Sequence, residues 1–351
     1  MKSPRRHLTA LTGLLGALIV LALVCPLMPS AGRAQTMRYK IRQAGFRVLY
    51  MAPMYIALEQ GFFAQEGVDY AFQEISSGAL GPATVVSGQA QVSDLDPLGI
   101  ADLQKEGKSL ISFYNLVTRV TLDLIVRNEI IQRTGVSRFS PLTKRYAVLR
   151  DLNIGITRPG APTDVFARYF LVKAGLNPDK DANLVQVGGV PALAAAFRSG
   201  RIDAFLLSPP LPQTLEREHL GQIIIRDTAG DVPDFKDTSY TTLFTSADYL
   251  RTNAPALQAY ARAVNKATAW IRTNKAEALR ILGQKYFQDT PADSLAISLD
   301  ATLPAISPDG RFTEAGVARY LNIFKAIGQP VTASSREGVL WTNEIVKLGG
   351  Q

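Results

Sequence analysis

Between residues 151 and 210 one pattern occurs twice: a short apolar run, a turn rich in Gly, Pro and hydroxyl residues, then apolar residues at helical spacing. The first unit places Leu152, Ile154 and Ile156 at strand spacing and turns through Thr157, Arg158, Pro159, Gly160 and Ala161. It continues as a predicted helix over 165–174, with Val165, Phe166, Tyr169, Phe170 and Val172 near one face. The second has a predicted strand at 183–187, a Gly188-Gly189 turn and a helix over 191–198. Gly200-Arg201-Ile202-Asp203-Ala204 then leads back to a strand that ends at Ser208-Pro209-Pro210. A helix between successive strands carries the chain back to its starting edge, so the strands run parallel and the class is α/β. Parallel sheets of this kind hold ligands at the carboxyl ends of their strands, where the first-turn N–H groups of the helices have no internal partner.

The amino terminus follows a different pattern. Lys2, Arg5 and Arg6 precede an apolar run over 14–24, then come Pro26, Pro29 and the small residues of 30–34. This predicts a secretory signal peptide over 1–34, cleaved after Ala34; the apolar run is short for a membrane span. His7, Leu8 and Thr9 fit a twin-arginine signal poorly, and Val24 and Pro26 flank Cys25 unsuitably for lipidation. Cleavage removes the only Cys, leaves His219 as the one histidine, and lowers the formal charge from +8 to +4, with 34 basic against 30 acidic residues. Disulfide frameworks and thiol chemistry are thereby not expected in the exported chain. A mild positive excess without dense Lys/Arg runs also argues against nucleic acid as a partner.

Ahead of the central stretch, strands are predicted at 38–43, 68–73, 91–94, 109–115 and 121–126, the last closing a first lobe. Helices are predicted at 52–60, where Pro53 suits the first turn and Gly61 the stop, and at 79–87 and 97–105. Beyond residue 210 the expectation is a strand at 222–226, an acidic turn over 231–237 and a strand at 241–246. An amphipathic helix over 255–273 with Leu257, Tyr260, Ala261, Val264, Thr268 and Ile271 on one stripe follows, then helices at 275–286, 291–301, 313–327 and 335–347.

The segment Ala52-Pro53-Met54-Tyr55-Ile56-Ala57-Leu58-Glu59-Gln60-Gly61-Phe62-Phe63-Ala64-Gln65-Glu66-Gly67-Val68-Asp69 resembles the opening signature of the NMT1/THI5-like periplasmic solute-binding proteins. That family includes sulfonate-, taurine- and nitrate-binding components of ABC importers. Val86-Ser87-Gly88-Gln89-Ala90-Gln91-Val92-Ser93 is similar to a second family segment, with Gln91 where Asp is usual. Asp151-Leu152-Asn153-Ile154-Gly155 stands where a two-residue-longer motif is usual, and the residues from Val190 to Pro210 match best. The resemblance implies a type II periplasmic-binding-protein fold, two Rossmann-like lobes joined by a two-crossing hinge. The expected division is lobe I over 37–127, lobe II over 128–245, and a return to lobe I with carboxyl-terminal helices over 246–351. It implies a periplasmic monomer that takes a small-molecule ligand and docks on the transmembrane permease subunits of an ABC importer, meeting the ATPase subunit only indirectly.

Other chemistry is weakly signalled. Gly107-Lys108-Ser109 resembles the tail of a P-loop, but Asp102 occupies the place of its first Gly. Asp94-Leu95-Asp96-Pro97-Leu98-Gly99 hints at a calcium loop, yet Leu98 and Lys105 fill positions that need oxygen ligands, which leaves it a loop or cleft wall. His219 lies among Glu216, Arg217 and Glu218 as a solvated helix end. With one His and no Cys in the exported chain, the usual transition-metal ligand sets cannot be assembled, and neither a metal nor a cofactor is expected.

Helix N-termini and loops then carry the binding expectation. Ser76, Ser77 and Gly78 precede a first-lobe helix, where an ordinary cap serves as well as a ligand contact. Thr157, Gly160, Ala161 and Thr163 are the matching corner of lobe two, with Arg158 able to add a charge-assisted bond to an anion. Arg47 and Tyr50 lie on the loop after the first strand, which lines the cleft in the family. Ser208 and Pro209 end a crevice-facing strand, and Asp96 and Asn115 complete the set. Phe235 and Tyr240 either close over a ligand or belong to the core. The expected function is hinge closure on a small organic anion, sulfonate- or carboxylate-like or with a heterocyclic body. The alternative is an enzyme resembling the thiamine-pyrimidine synthase of the same fold, with a pyridoxal phosphate cofactor and an active-site histidine.

Overall fold

Ten strands form two five-stranded sheets in the computed structural model, which describes residues 38–75 and 80–347. The expected signal peptide, Ser76, Ser77 and Gly78 lie outside the described residues. The first sheet has the order β2-β1-β3-β10-β4, from β1 (Tyr39–Gly45), β2 (Val68–Glu74), β3 (Val92–Leu95), β4 (Leu110–Arg119) and β10 (Lys236–Ser246). The second has the order β7-β6-β8-β5-β9, from β5 (Asp123–Arg127), β6 (Asn153–Ile156), β7 (Asn183–Gln186), β8 (Ala204–Leu207) and β9 (Gly221–Ile225). The two orders are the same pattern. In each, the first strand pairs in parallel with the second on one side and the third on the other. In each, the fourth position holds a strand running against its neighbours.

That reversed strand is the one that follows a crossing between the sheets. Residues 120–122 carry the chain from β4 to β5, and residues 226–235 carry it back from β9 to β10. The apolar strand expected to close the first lobe is therefore β5 of the second sheet. Leu124, Ile125 and Val126 are all fully buried there, between β8 and β9. A continuous apolar run identifies a strand covered on both faces, but carries no information on which sheet covers it.

Local signals place most of the helices. Pro53 and Pro162 sit in the first turns of Ala52–Glu59 and Pro162–Lys173, where a missing N–H costs nothing, and Gly61 takes φ 69° just past the first of these. The helix Pro97–Lys105 is capped by Asp96, whose carboxylate accepts from Leu98 N–H and Gly99 N–H at 3.0 Å each. The helix expected from Pro255 begins earlier, at Ala247, and breaks at Asn253 (φ −129°, ψ 27°); Pro255 marks a kink, since it disfavours helical geometry just ahead of it. Its predicted stripe is buried. Only Glu344–Lys347 of the helix expected over 335–347 is helical. The segment before it is drawn against β4 instead, where Ser112 N–H donates to Leu340 O and Thr342 N–H to Ser112 O, both at 2.9 Å. Short helices Asn128–Thr134 and Leu142–Ala147 were not anticipated.

One hydrophobic core runs through both sheets, and a second, smaller one lies under the helices Val190–Arg198 and Leu211–Arg217. The two sheets are tied by aromatic rings. Phe166, on Pro162–Lys173, meets Phe235 edge-on at 5.0 Å between centroids and Tyr240 of β10 at 5.9 Å; Tyr320 of the helix Glu314–Ala326 stands 6.4 Å away. Each of these rings is worth roughly 0.5–1.5 kcal/mol in pair geometry beyond its buried area.

Candidate functional site

Both sheets reverse their winding direction at the first strand. The chain leaves β1 towards β2 on one side and β3 on the other, and leaves β6 towards β7 and β8 in the same way. The helices that follow β1 and β3, or β6 and β8, therefore diverge and leave a crevice at the carboxyl ends of those strands. The loops after β1, β3, β6 and β8 line it. Two contacts join the loops of the first sheet and the crossing to those of the second. Leu49 N–H donates to Pro209 O at 3.4 Å, and the hydroxyls of Thr121 and Ser208 lie 3.0 Å apart.

Tyr50 is buried in the turn Leu49–Met51 and donates its hydroxyl to Asp94 Oδ2 at 3.2 Å. Asp94, near the end of β3, is only partly buried by area. Its environment still pushes its pKa up to about 7; burial is the cause, and the Tyr50 hydrogen bond offsets part of it. Gly45 makes room for this carboxylate, because a Cβ there would stand 2.8 Å from Asp94 Oδ1. Asp96 is raised as well, by burial first, against the pull of the Gly99 and Leu98 N–H groups. The Tyr320 hydroxyl stands beside Asp96 but makes no hydrogen bond of ordinary geometry. Tyr240 is buried, with its hydroxyl beside Ser208. Burial keeps its hydroxyl protonated, reinforced by the charges of Asp96 and Asp227 and, more weakly, of Asp94.

The second sheet contributes its own buried polar groups at this end. Asp123, at the start of β5, accepts from Gln213 Nε2 at 2.6 Å and Thr228 N–H at 3.0 Å; burial still raises it to about 7. Asp227 follows β9 and is 1% exposed, with no hydrogen-bond partner for either carboxylate oxygen. Burial is the first cause raising its pKa, and the neighbouring Asp123 the second.

Tyr50, Asp96, Ser208 and Pro209 are thus brought to the crevice together. Thr157 and Thr163 lie at the β6 corner but are bonded to each other, Thr157 N–H to Thr163 Oγ1 at 3.0 Å and hydroxyl to hydroxyl at 2.9 Å. Gly160 N–H donates to Asp164 Oδ2 at 2.7 Å, and Ala161 N–H to Arg158 O at 3.2 Å, so these amides are turned inward on their own loop. Arg158 is exposed, its guanidinium reaching only Pro159 O among the described residues. Arg47 is 47% exposed and paired with Glu74 at 2.6 Å. Asn115 is level with Leu95 across β10 but spends its amide N–H on Arg311 O at 3.1 Å. Phe235 joins the aromatic core. Asp94, Asp227 and Tyr320 were not among the expected site residues. The signals for Asp94 were its place at the end of a predicted strand and at the head of the segment 94–99, read from sequence as a loop or cleft wall.

Two α/β halves of equal strand order with a crevice between their switch points define the type II periplasmic-binding-protein fold. A solved structure from Bordetella bronchiseptica RB50 superposes with a TM-score of 0.73 at 25% identity, covering 88% of this chain and 96% of that one. The alkanesulfonate-binding protein SsuA from Xanthomonas axonopodis pv. citri, bound to MOPS, superposes with a TM-score of 0.64 at 15% identity, covering 88% and 97%. The profile of the NMT1-like family matches residues 40–283, and the chain belongs to that family. YtlA of Bacillus subtilis (strain 168) is 24% identical over 270 residues, 75% of each chain. The bicarbonate-binding protein CmpA of Synechococcus elongatus (strain ATCC 33912 / PCC 7942 / FACHB-805) is 24% identical over 301 residues, 81% of this chain and 65% of CmpA. The nitrate/nitrite binding protein NrtA of Nostoc sp. (strain PCC 7120 / SAG 25.82 / UTEX 2576) is 27% identical over 264 residues, 69% of this chain and 57% of NrtA.

Proposed function

We propose that this chain is the substrate-binding component of an ABC importer, exported to the periplasm, that closes two lobes on a small solute and presents it to a membrane permease. One observation carries the reading: two switch-point crevices in one chain open on each other, with loop contacts at Leu49–Pro209 and Thr121–Ser208 where the lobes meet. Lobe I would comprise β1–β4 and β10 with the carboxyl-terminal helices, and lobe II β5–β9, hinged at 120–122 and 226–235. The names of CmpA and NrtA, and of a nitrate import ATP-binding protein, NrtC of Synechocystis sp. (strain ATCC 27184 / PCC 6803 / Kazusa), that is 25% identical over 193 residues, support transport over catalysis. So does the position of His219, which precedes β9 and sits at the end of the second sheet away from the crevice. Among the described residues no helix is long and apolar enough to cross a membrane. The test is ligand-dependent thermal stabilisation of the purified protein, with the ligand recovered unaltered. Recovery of a converted product would refute the reading.

A further inference from the structure

At the end of the first sheet away from the crevice, the chain enters β1 through three cations. Lys40 and Arg42 point to one face of the strand, opposite the fully buried Ile41 and Gln43, and Arg38 stands just ahead of it. These three line a cavity of about 600 Å³ together with Gln89 and Gln91, ahead of β3, and with Tyr249 and Asn253 of the helix Ala247–Thr273. The break of that helix at Asn253 lies on the cavity wall. Among the described residues no Asp or Glu lines the cavity.

The carboxylates close by are already taken. Asp69 lies level with Lys40 but gives its carboxylate to Arg42 at 3.4 Å, and Asp248, next to Tyr249 in the chain, goes to Arg251 at 2.6 Å. Two of the amides are committed as well. Gln91 Oε1 accepts from Arg42 N–H at 2.8 Å and its Nε2 donates to Gly88 O at 3.3 Å, while Asn253 Nδ2 donates to Thr252 Oγ1 at 2.8 Å. Two cations and two neutral donors are left over. Arg38 and Lys40 are exposed, and among the described residues neither forms an ion pair. The Gln89 amide and the Tyr249 hydroxyl make no hydrogen bond among the described residues, and burial keeps that hydroxyl protonated by raising its pKa. Neighbouring cations without a counter-charge repel each other, and an anion set between them turns that repulsion into attraction.

We infer that this cavity is a second binding site, for a phosphate-bearing ligand with at least two negative charges, held by Arg38 and Lys40 with Gln89 and Tyr249 as neutral donors. A guanidinium and an ammonium side by side match a doubly charged group that offers acceptor oxygens in several directions, whereas an anion of one charge needs only one of them. The volume is that of a site for a small organic molecule rather than for a bare ion. A soluble phosphate ester or pyrophosphate and the two-phosphate headgroup of a lipid share this chemistry. The site lies at the amino ends of β1 and β3, so it does not compete with the crevice at their carboxyl ends.

The test has two arms on the purified protein. One is calorimetry with pyrophosphate and glycerol 3-phosphate; the other is flotation with phosphatidylcholine vesicles prepared with and without cardiolipin. Binding is expected in at least one arm, at one site per chain for the soluble probes, and the arm that responds tells which source supplies the phosphate. Arg38→Gln combined with Lys40→Gln should weaken it by about tenfold or more, the loss expected for hydrogen bonds to a charged group. Tyr249→Phe keeps the ring and should weaken it by about a few-fold, which gives an answer even where the double variant folds poorly. Arg133→Gln removes an exposed cation elsewhere and should leave binding as it is. Silence in both arms, unchanged affinity in the double variant or in Tyr249→Phe, or an equal loss in Arg133→Gln would overturn the inference. None of these outcomes touches the crevice, so the binding-protein reading stands or falls on its own test.

Discussion

Replacing Asp94 by Asn should make the unliganded protein more stable at pH 8 and leave it nearly unchanged at pH 4. In the native state Asp94 holds its proton up to about pH 7, whereas in the unfolded chain it releases it near 3.8. Folded molecules therefore bind more protons than unfolded ones across that interval, and stability falls as the pH rises from about 4 to about 7. A difference of three pKa units corresponds to about 4 kcal/mol at 1.36 kcal/mol per unit. Asn has the same shape, can still accept the Tyr50 hydroxyl, and carries no charge to desolvate, so the variant should recover much of that amount above pH 7. Urea unfolding of both proteins at pH 4, 6 and 8 measures it. The groups around Asp94 that could blur the slope are Tyr50, Tyr55, Tyr240 and Asp96, and the tyrosines are all raised away from this range. An equal stability loss in the variant at all three pH values would show that Asp94 is held by bonds rather than strained by burial, and would refute the reasoning.

Three further outcomes follow from the packing. Phe166→Ala removes a fully buried ring that meets Phe235, Tyr240 and Tyr320, and should cost about 3–5 kcal/mol in denaturant unfolding; less than 1 kcal/mol would mean the rings are not a shared core. Asp96→Ala leaves the Leu98 and Gly99 N–H groups without their cap and should cost about 1 kcal/mol, read from the same titration. Arg217→Ala breaks the ion pair with Asp293 between the helices Leu211–Arg217 and Ala292–Thr302. Both side chains are largely in water, so the melting temperature should barely move, the pair being worth less than about 1 kcal/mol.

Much of the architecture could be read from the chain because it depends on local signals. The helix 97–105 opens on an Asp cap and a Pro, and the units over 151–210 alternate strand and helix periods that do not depend on distant partners. Sheet membership was not legible for the strand at 121–126, since Leu124–Val126 are apolar whichever sheet buries them. The segment at 335–343 has helix-compatible residues but is captured by the edge of β4, a tertiary effect. The corner at 157–163 reads from sequence as open amides, whereas Thr163 and Asp164 supply local acceptors that close it. Asp94 and Asp227 were missed for the opposite reason. A single Asp near a strand end is ordinary in sequence, and only the three-dimensional environment shows that Asp94 is pressed by burial and that Asp227 lacks donors.

The reversed strand in each sheet also bears on how the chain can be divided. β10 lies between β3 and β4, so a polypeptide stopped before residue 236 has a first sheet with its fourth lane vacant and two unsatisfied rows of amides facing each other across the gap. Ribosomal synthesis must therefore finish the second half before the first can be sealed. The order in which the halves become resistant to protease is set by that threading and not by their order along the message.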